Sequence, residues 1–197
     1  MTSTAIAQKD KIYTVEEYFE FEKNSEIRYE YHYGKFLPMT GESITANQIA
    51  SNCNRNLWIG LKGKDFIITQ NDVKTMVKDE KLYRYPDVSV SKKSDKSNSH
   101  VVTKPILLVE VFSEGSSKTD HEDKLKEYAA MLSVQYYLII SQYELSVKIY
   151  SRQTKGWQFE HLTELDETAY FPLLDCQLSL NNIYEDVELT DNQSDTK

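Results

Sequence analysis

The stretch Ile106-Leu107-Leu108-Val109-Glu110-Val111-Phe112 is apolar at every position but one. A run this short and continuous is the pattern of a strand covered on both faces in the middle of a sheet. Alternation puts Ile106, Leu108, Glu110 and Phe112 on one face and Leu107, Val109 and Val111 on the other. Buried there, the Glu110 carboxylate loses hydration worth several kcal/mol unless a cation or hydrogen bonds offset the loss. A helix packed over the sheet can supply such a partner. From the strand alone, a structural ion pair and a functional carboxylate are equally good readings.

The flanks sharpen this. Upstream, residues 85–90 read as a strand that opens with Pro86-Asp87. Proline cannot donate to a ladder, so Asp87 stands at a strand start where its carboxylate can point out of the sheet's end. Alone, a Pro-Asp pair is most often a turn signal. With Glu110 on an adjacent strand, the two carboxylates form an oxygen site for a hard divalent cation such as Mg²⁺. Downstream, Thr119-Asp120-His121-Glu122 is a capping box that starts a helix with Leu125, Tyr128, Ala129 and Leu132 as its buried stripe. Lys124 precedes that stripe and can reach the strand end along the helix; the alternative is a surface pair with Asp120.

Other elements fill in around this centre. Thr14-Val15-Glu16-Glu17 caps a short first helix. In residues 28–39, Tyr29, Tyr31 and Tyr33 alternate with Arg28, Glu30 and His32 before a turn at Gly34, which is a hairpin. Residues 44–61 carry Ala46, Ile49, Ala50, Cys53, Leu57 and Leu61 at helical spacing. Residues 66–69, 73–77, 136–140, 145–150 and 157–162 read as strands. The class is α/β (α+β), a mixed sheet flanked by helices. We expect one domain over 12–187, a flexible tail at 1–11 and an acidic disordered tail at 188–197.

Composition narrows the function. Of 197 residues, 40% are hydrophobic and 27% charged, with Gly 6 and Pro 4, which excludes wholesale disorder and collagen-like arrays. The net charge of −8 excludes a charge-driven coat for nucleic acid, so phosphate chemistry needs a local positive centre. Half of that charge lies in 185–197, where Glu185, Asp186, Glu188, Asp191 and Asp195 face Lys197 alone. Cys53 and Cys176 match neither a metal motif nor a disulfide scaffold, and the four histidines have no ligand spacing. The first residues lack the apolar core of a signal peptide and no run is long enough to span a bilayer, so a cytoplasmic location and no membrane partner are expected. A Walker loop and a serine-hydrolase elbow are missing from the sequence, and no nucleotide cofactor is expected.

Taken in order, Arg84-Tyr85-Pro86-Asp87-Val88, Leu107-Leu108-Val109-Glu110-Val111-Phe112 and Asp120-x-x-x-Lys124-x-x-x-Tyr128 resemble the core of the PD-(D/E)XK nuclease superfamily. More narrowly, the chain resembles a bacterial family described as "putative restriction endonuclease", over roughly residues 12–187. The resemblance implies a restriction endonuclease-like fold with Asp87 and Glu110 as metal ligands and the Val111 carbonyl as a further one. It implies Mg²⁺, with Mn²⁺ as a substitute. The superfamily's lysine position is Phe112 here, and the narrower family's lysine, from the following helix, matches Lys124. Glu30 matches an acidic residue that assists at the metal; the exposed face of the hairpin is an equal alternative for it. Two departures stand out: Ser113-Glu114-Gly115-Ser116 where relatives often carry Ser-Pro-Ser, and Ala46 where they often carry histidine.

The expected activity is metal-dependent hydrolysis of phosphodiesters in nucleic acid, DNA first, by a homodimer. Lys62, Lys64, Lys92, Lys93, Lys96 and Lys104 cluster in loops and offer a positive rim for the backbone; solvated loop lysines are the plain alternative. The rival reading is a catalytically inactive module of the same fold that binds nucleic acid or protein.

Overall fold

The computed structural model describes residues 11–39, 41–95, 100–112 and 118–189, with the backbone alone for 118–121. It starts with α1 (Val15–Lys23), the hairpin β1 (Tyr29–His32) and β2 (Lys35–Pro38), and the long helix α2 (Ile44–Leu61). Strands β3 (Phe66–Gln70), β4 (Lys74–Lys78), β5 (Leu82–Arg84), β6 (Val88–Lys92), β7 (Val101–Val102) and β8 (Pro105–Phe112) follow. Beyond α3 (Lys118–Ala130) come β9 (Tyr136–Ser141), β10 (Val147–Arg152) and β11 (Trp157–Leu162). Next are β12 (Thr168–Phe171), β13 (Cys176–Ser179) and the single-turn α4 (Leu180–Ile183), which are additions to the sequence reading.

The expected class holds, with the strands divided between sheets. A six-stranded sheet has the order β11-β10-β9-β8-β6-β3, a five-stranded one the order β2-β1-β5-β4-β7, and β12 pairs with β13. In the larger sheet β8 and β9 are parallel, and α3 is the crossover between them. All its other neighbours are antiparallel.

Glu110 and its strand lie where the apolar run places them. Leu107, Val109 and Val111 face α2, whose Ile49, Cys53 and Leu57 are fully buried against them. Leu108 faces the other way, towards Tyr128, Met131, Val134 and Tyr137. Both faces of β8 are therefore covered, which is why its sequence does not alternate. Leu132 departs from the expected stripe: α3 ends at Ala130, so Leu132 turns outward at 85% exposure and Met131 and Val134 take its place in the core. Among the described residues, no helix is long and apolar enough to cross a membrane.

The smaller sheet carries α1 on an aromatic cluster. Thr14 caps α1 reciprocally: its Oγ1 accepts from Glu17 N at 3.2 Å, and Glu17 Oε2 accepts from Thr14 N at 2.8 Å. The cap directs Tyr18 inward, where it packs against Tyr31 and Tyr83. The β1–β2 turn holds Tyr33 at φ 48° and Gly34 at φ 91°, both left-handed as a two-residue hairpin demands. Tyr33 is thus exposed at the turn, and the expected alternation stops at Tyr31. A side chain at Gly34 would also meet Ile12 Cγ2 at 2.5 Å. Gly34→Ala is expected to lower stability by about 1–3 kcal/mol, measured by urea denaturation; an unchanged midpoint would show that the turn relaxes freely.

Candidate active site

Pro86 does more than open a strand. The expected strand over 85–90 is broken: β5 ends at Arg84 in the smaller sheet and β6 begins at Val88 in the larger one, so Tyr85-Pro86-Asp87 is the crossing between sheets. Proline suits that crossing because its nitrogen has no ladder bond to give. The crossing is pinned at Asp87, whose backbone carbonyl accepts from Asn71 N at 3.1 Å. Its Oδ2 accepts from Val111 N at 2.6 Å, which sets it beside the end of β8. In an extended strand the N–H and C=O of one residue point to the same side, so the Val111 carbonyl also turns towards Asp87.

Glu110 is 5% exposed, and both of its oxygens have partners on α3. Lys124 Nζ donates to Oε2 at 2.8 Å and the Tyr128 hydroxyl to Oε1 at 2.7 Å. The two donors stand four residues apart and so share one helix face. Burial and the Glu110 charge push the Tyr128 hydroxyl well above the usual phenol range, so it stays a donor. Lys124 therefore takes the inward of its two expected roles.

Two further acids converge. Glu30 is buried, against the exposed-face alternative, because the hairpin's second face is covered by Arg84 and α3. Its Oε2 accepts from Arg84 Nη1 at 2.7 Å and lies 3.1 Å from His32 Nε2. Burial works upwards on its pKa, yet the His32 bond and the charges of Arg84 and Lys124 prevail and hold it at about 2. Glu42, which sequence reasoning missed, lies just before the α2 N-cap Ser43. Burial, then the Glu110 charge, raises its pKa while Lys124 opposes. Asp87 behaves alike: burial and the charges of Glu110 and Glu42 push it up to about 8, against the Val111 N–H and Lys124.

Arg84 is the other residue whose role the sequence did not reveal. It is 2% exposed and bridges Glu30 to Glu127, with Nε at 2.9 Å and Nη2 at 3.2 Å from the Glu127 carboxylate. Glu127 sits one turn beyond Lys124 on α3, and Arg84 lies three residues before Asp87. The clamp therefore ties the segment carrying Asp87 to the helix carrying Lys124.

The loop lysines do not join this cluster. Glu110 is near the end of β8 and Asp87 precedes β6, whereas Lys104 precedes β8 and Lys92 ends β6. Five residues of strand separate Lys92 from Asp87, roughly 16 Å. Lys93 Nζ donates to the Lys64 carbonyl at 3.0 Å, Lys64 is held by the Leu174 carbonyl and Asp175, and Lys62 lies over Trp58. All are at the far end of the sheet, where sequential clustering gave no hint of which strand end is which. Lys96 and the 113–116 departure lie outside the described residues, as do the side chains of the 119–121 capping residues.

Among the described residues, no three His, Cys, Asp or Glu side chains stand together as a ready metal cage. The donor set still fits one hard cation: Asp87, Glu110 and the Val111 carbonyl are all oxygen ligands, and Mg²⁺ binds through one or two carboxylates with several waters retained. Burial first, and then the charges of neighbouring carboxylates, raise Asp87 and Glu42, and a cation there would relieve both.

Sheet, crossing and carboxylate–lysine cluster together define a nuclease-like domain. The chain belongs to the Uma2 family, described as "Putative restriction endonuclease", whose model matches residues 15–181; it is thus a member of a nuclease family. It is 30% identical over 145 residues to "Uncharacterized protein sll1609" of Synechocystis sp., covering 72% of this chain and 82% of that one. It is 29% identical over 142 residues to "Uncharacterized protein slr1290" of the same organism, covering 72% and 75%. The fold matches the crystal structure of "a putative nuclease belonging to DUF820" from Anabaena variabilis, with TM-score 0.72 and 18% identity over 87% of this chain and 97% of that one.

Two outcomes follow from this geometry. The Asp87 carboxyl, ordinarily near 3.8, keeps its proton up to about 8 in the folded metal-free protein. Between those values the unfolded chain binds fewer protons than the folded one, so the stability due to this group, full below its ordinary pKa, is lost as pH rises through 8. Asp87→Asn removes that slope and keeps the acceptor for Val111 N–H; in EDTA its melting temperature should exceed wild type at pH 8 by a few degrees and match it more closely at pH 5. Parallel curves for the two proteins would contradict the raised pKa. Arg84→Met removes the guanidinium that joins Glu30 to Glu127, leaving Glu30 its contact with His32, and is expected to cost about 3–5 kcal/mol in urea denaturation; a cost below about 1 kcal/mol would show the clamp to be dispensable.

Proposed function

We propose that this protein is a magnesium-dependent endonuclease that hydrolyses phosphodiester bonds in DNA, with Asp87, Glu110 and Lys124 as its working residues. The observation that carries this is the convergence of a lysine from α3 on a buried strand glutamate, beside an aspartate held at a sheet crossing. Asp87, Glu110 and the Val111 carbonyl would hold Mg²⁺, or Mn²⁺ in its place. Bound there, the cation supplies positive charge to a non-bridging phosphate oxygen and lowers the pKa of an attacking water.

The chain's own groups do the rest. Lys124 holds Glu110 and would present its charge to a phosphate oxygen as negative charge grows there. Tyr128 fixes the second Glu110 oxygen, which keeps the carboxylate in one orientation. Glu30 assists from behind: its ionised carboxylate, kept so by His32 and Arg84, adds negative potential that favours the charged form of Lys124. A homodimer in the cytoplasm would bring two such sites to the two strands of a duplex.

A second reading, a nuclease-fold module that binds without turnover, is favoured by one observation: both Glu110 oxygens already have partners within the protein. Cleavage of plasmid and single-stranded DNA in Mg²⁺ and Mn²⁺ separates the two. The wild type should cut, with Asp87→Asn and Lys124→Ala slowed at least about 100-fold while their circular dichroism is unchanged. Calorimetry should show Mg²⁺ binding that tightens and releases fewer protons as pH rises through 8, since the ligand must shed its proton first. No cleavage together with no metal binding would establish the inactive module instead.

A further inference from the structure

A cavity of about 570 Å³ lies between α3 and the β9–β10 hairpin, within the range of about 300–1,000 Å³ typical of small-ligand sites. Phe112 forms one wall. It follows Glu110 by two residues on the same face of β8, so it stands roughly 7 Å further along the strand. Leu125, the residue after Lys124, lines the cavity from the helix. The space therefore adjoins the carboxylate–lysine cluster without containing it.

Its chemistry selects against a phosphate and for a flat neutral ring. Among the described residues of its lining, Glu122 and Glu144 stand against the ammonium of Lys148, and their charge disfavours a polyanion's backbone in the interior. Phe112 and Tyr143 meet edge to face, with centroids 6.1 Å apart and planes at 79°. Tyr150 adds a third ring on the lining and Ile139 an apolar surface. Rings offer stacking to any base, and carboxylates accept from exocyclic base amines as they do from cytosine N4.

We propose that this cavity receives one unstacked, amine-bearing nucleobase from a nucleotide next to the cleaved phosphate. The assignment rests on the nuclease reading and gives it a substrate feature: a base held out of its stack, either because the strand is single or because the base is drawn from a duplex.

Anisotropy titrations in Ca²⁺ test this, using single-stranded and duplex oligonucleotides with an abasic nucleotide at each position in turn. At one position, base removal should weaken wild-type binding about tenfold. There, Tyr143→Ala and the cavity-filling Ser141→Leu should bind intact and abasic oligonucleotides alike. A 2-aminopurine at that position that brightens in the duplex identifies extrusion, and dependence confined to single strands identifies an already unpaired base. Uniform wild-type binding across the abasic scan overturns the proposal, as does an undiminished base dependence in both folded variants. If cleavage persists in that case, the nuclease reading stands alone; absence of both binding and cleavage removes the two together.

Discussion

A carboxylate sits in the most apolar strand of this protein, and its neutralisation organises what surrounds it. Glu110 cannot remain buried and charged without donors, and both donors come from one face of α3. Satisfying Glu110 thus fixes where α3 lies on the sheet and which way it is rotated. The β8–α3–β9 crossover would cover the sheet on hydrophobic grounds alone, since Leu108, Tyr128 and Tyr137 pack there. The Lys124 and Tyr128 bonds add a register that greasy contacts cannot specify, because apolar surfaces slide while a bidentate contact to one carboxylate does not. Arg84 repeats the device one turn along the helix, and there the second anchor is the strand leading to Asp87.

Around Lys124 the field is uneven in a useful way. Glu30 and Asp87 are both largely buried carboxyls near the same lysine, yet one is held at about 2 and the other pushed to about 8. The difference lies in their other neighbours. Glu30 has a histidine and an arginine at hydrogen-bond distance, whereas Asp87 has one backbone N–H and the charges of two glutamates. The first is a settled ion pair, and the second is a buried carboxyl without enough positive charge around it. Environments that push two carboxyls apart in this way suit them to different tasks: under the proposed function Glu30 would support the lysine and Asp87 would take a cation.

The sequence disclosed the parts whose signals are local. The apolar run announced β8, its one polar residue announced a buried carboxylate, and the capped helix after it offered Lys124 as a partner within reach of the strand end. Capping at Thr14 and the tyrosine alternation announced α1 and β1 for the same reason. What stayed hidden depends on contacts distant along the chain. Glu42 precedes an N-cap and looks like any helix-entry acid; its proximity to Asp87 arises because α2 starts at the same sheet end at which β8 finishes. Arg84 was visible as a letter in a motif, but its bridge joins Glu30 to Glu127, ninety-odd residues apart in sequence. Pro86 signalled a strand start correctly and concealed that the preceding strand belongs to another sheet.

The lysines show the same limit from the other side, and they bear on how a nucleic acid would be held. Lysines 62, 64, 92, 93 and 104 are near one another in sequence because loops at one end of a sheet recur at intervals set by strand length. The site occupies the opposite end. An acidic body with its loop lysines turned away gains little from counterion release near the site. Under the proposed function, attraction there would come from a few short-range contacts: a cation between Asp87 and Glu110, the ammonium of Lys124, and the aromatic walls beyond Phe112. On the proposed reading, such a site would tolerate negative charge on its cavity lining, because it would grip the phosphate at one point and the base at another rather than the backbone along its length.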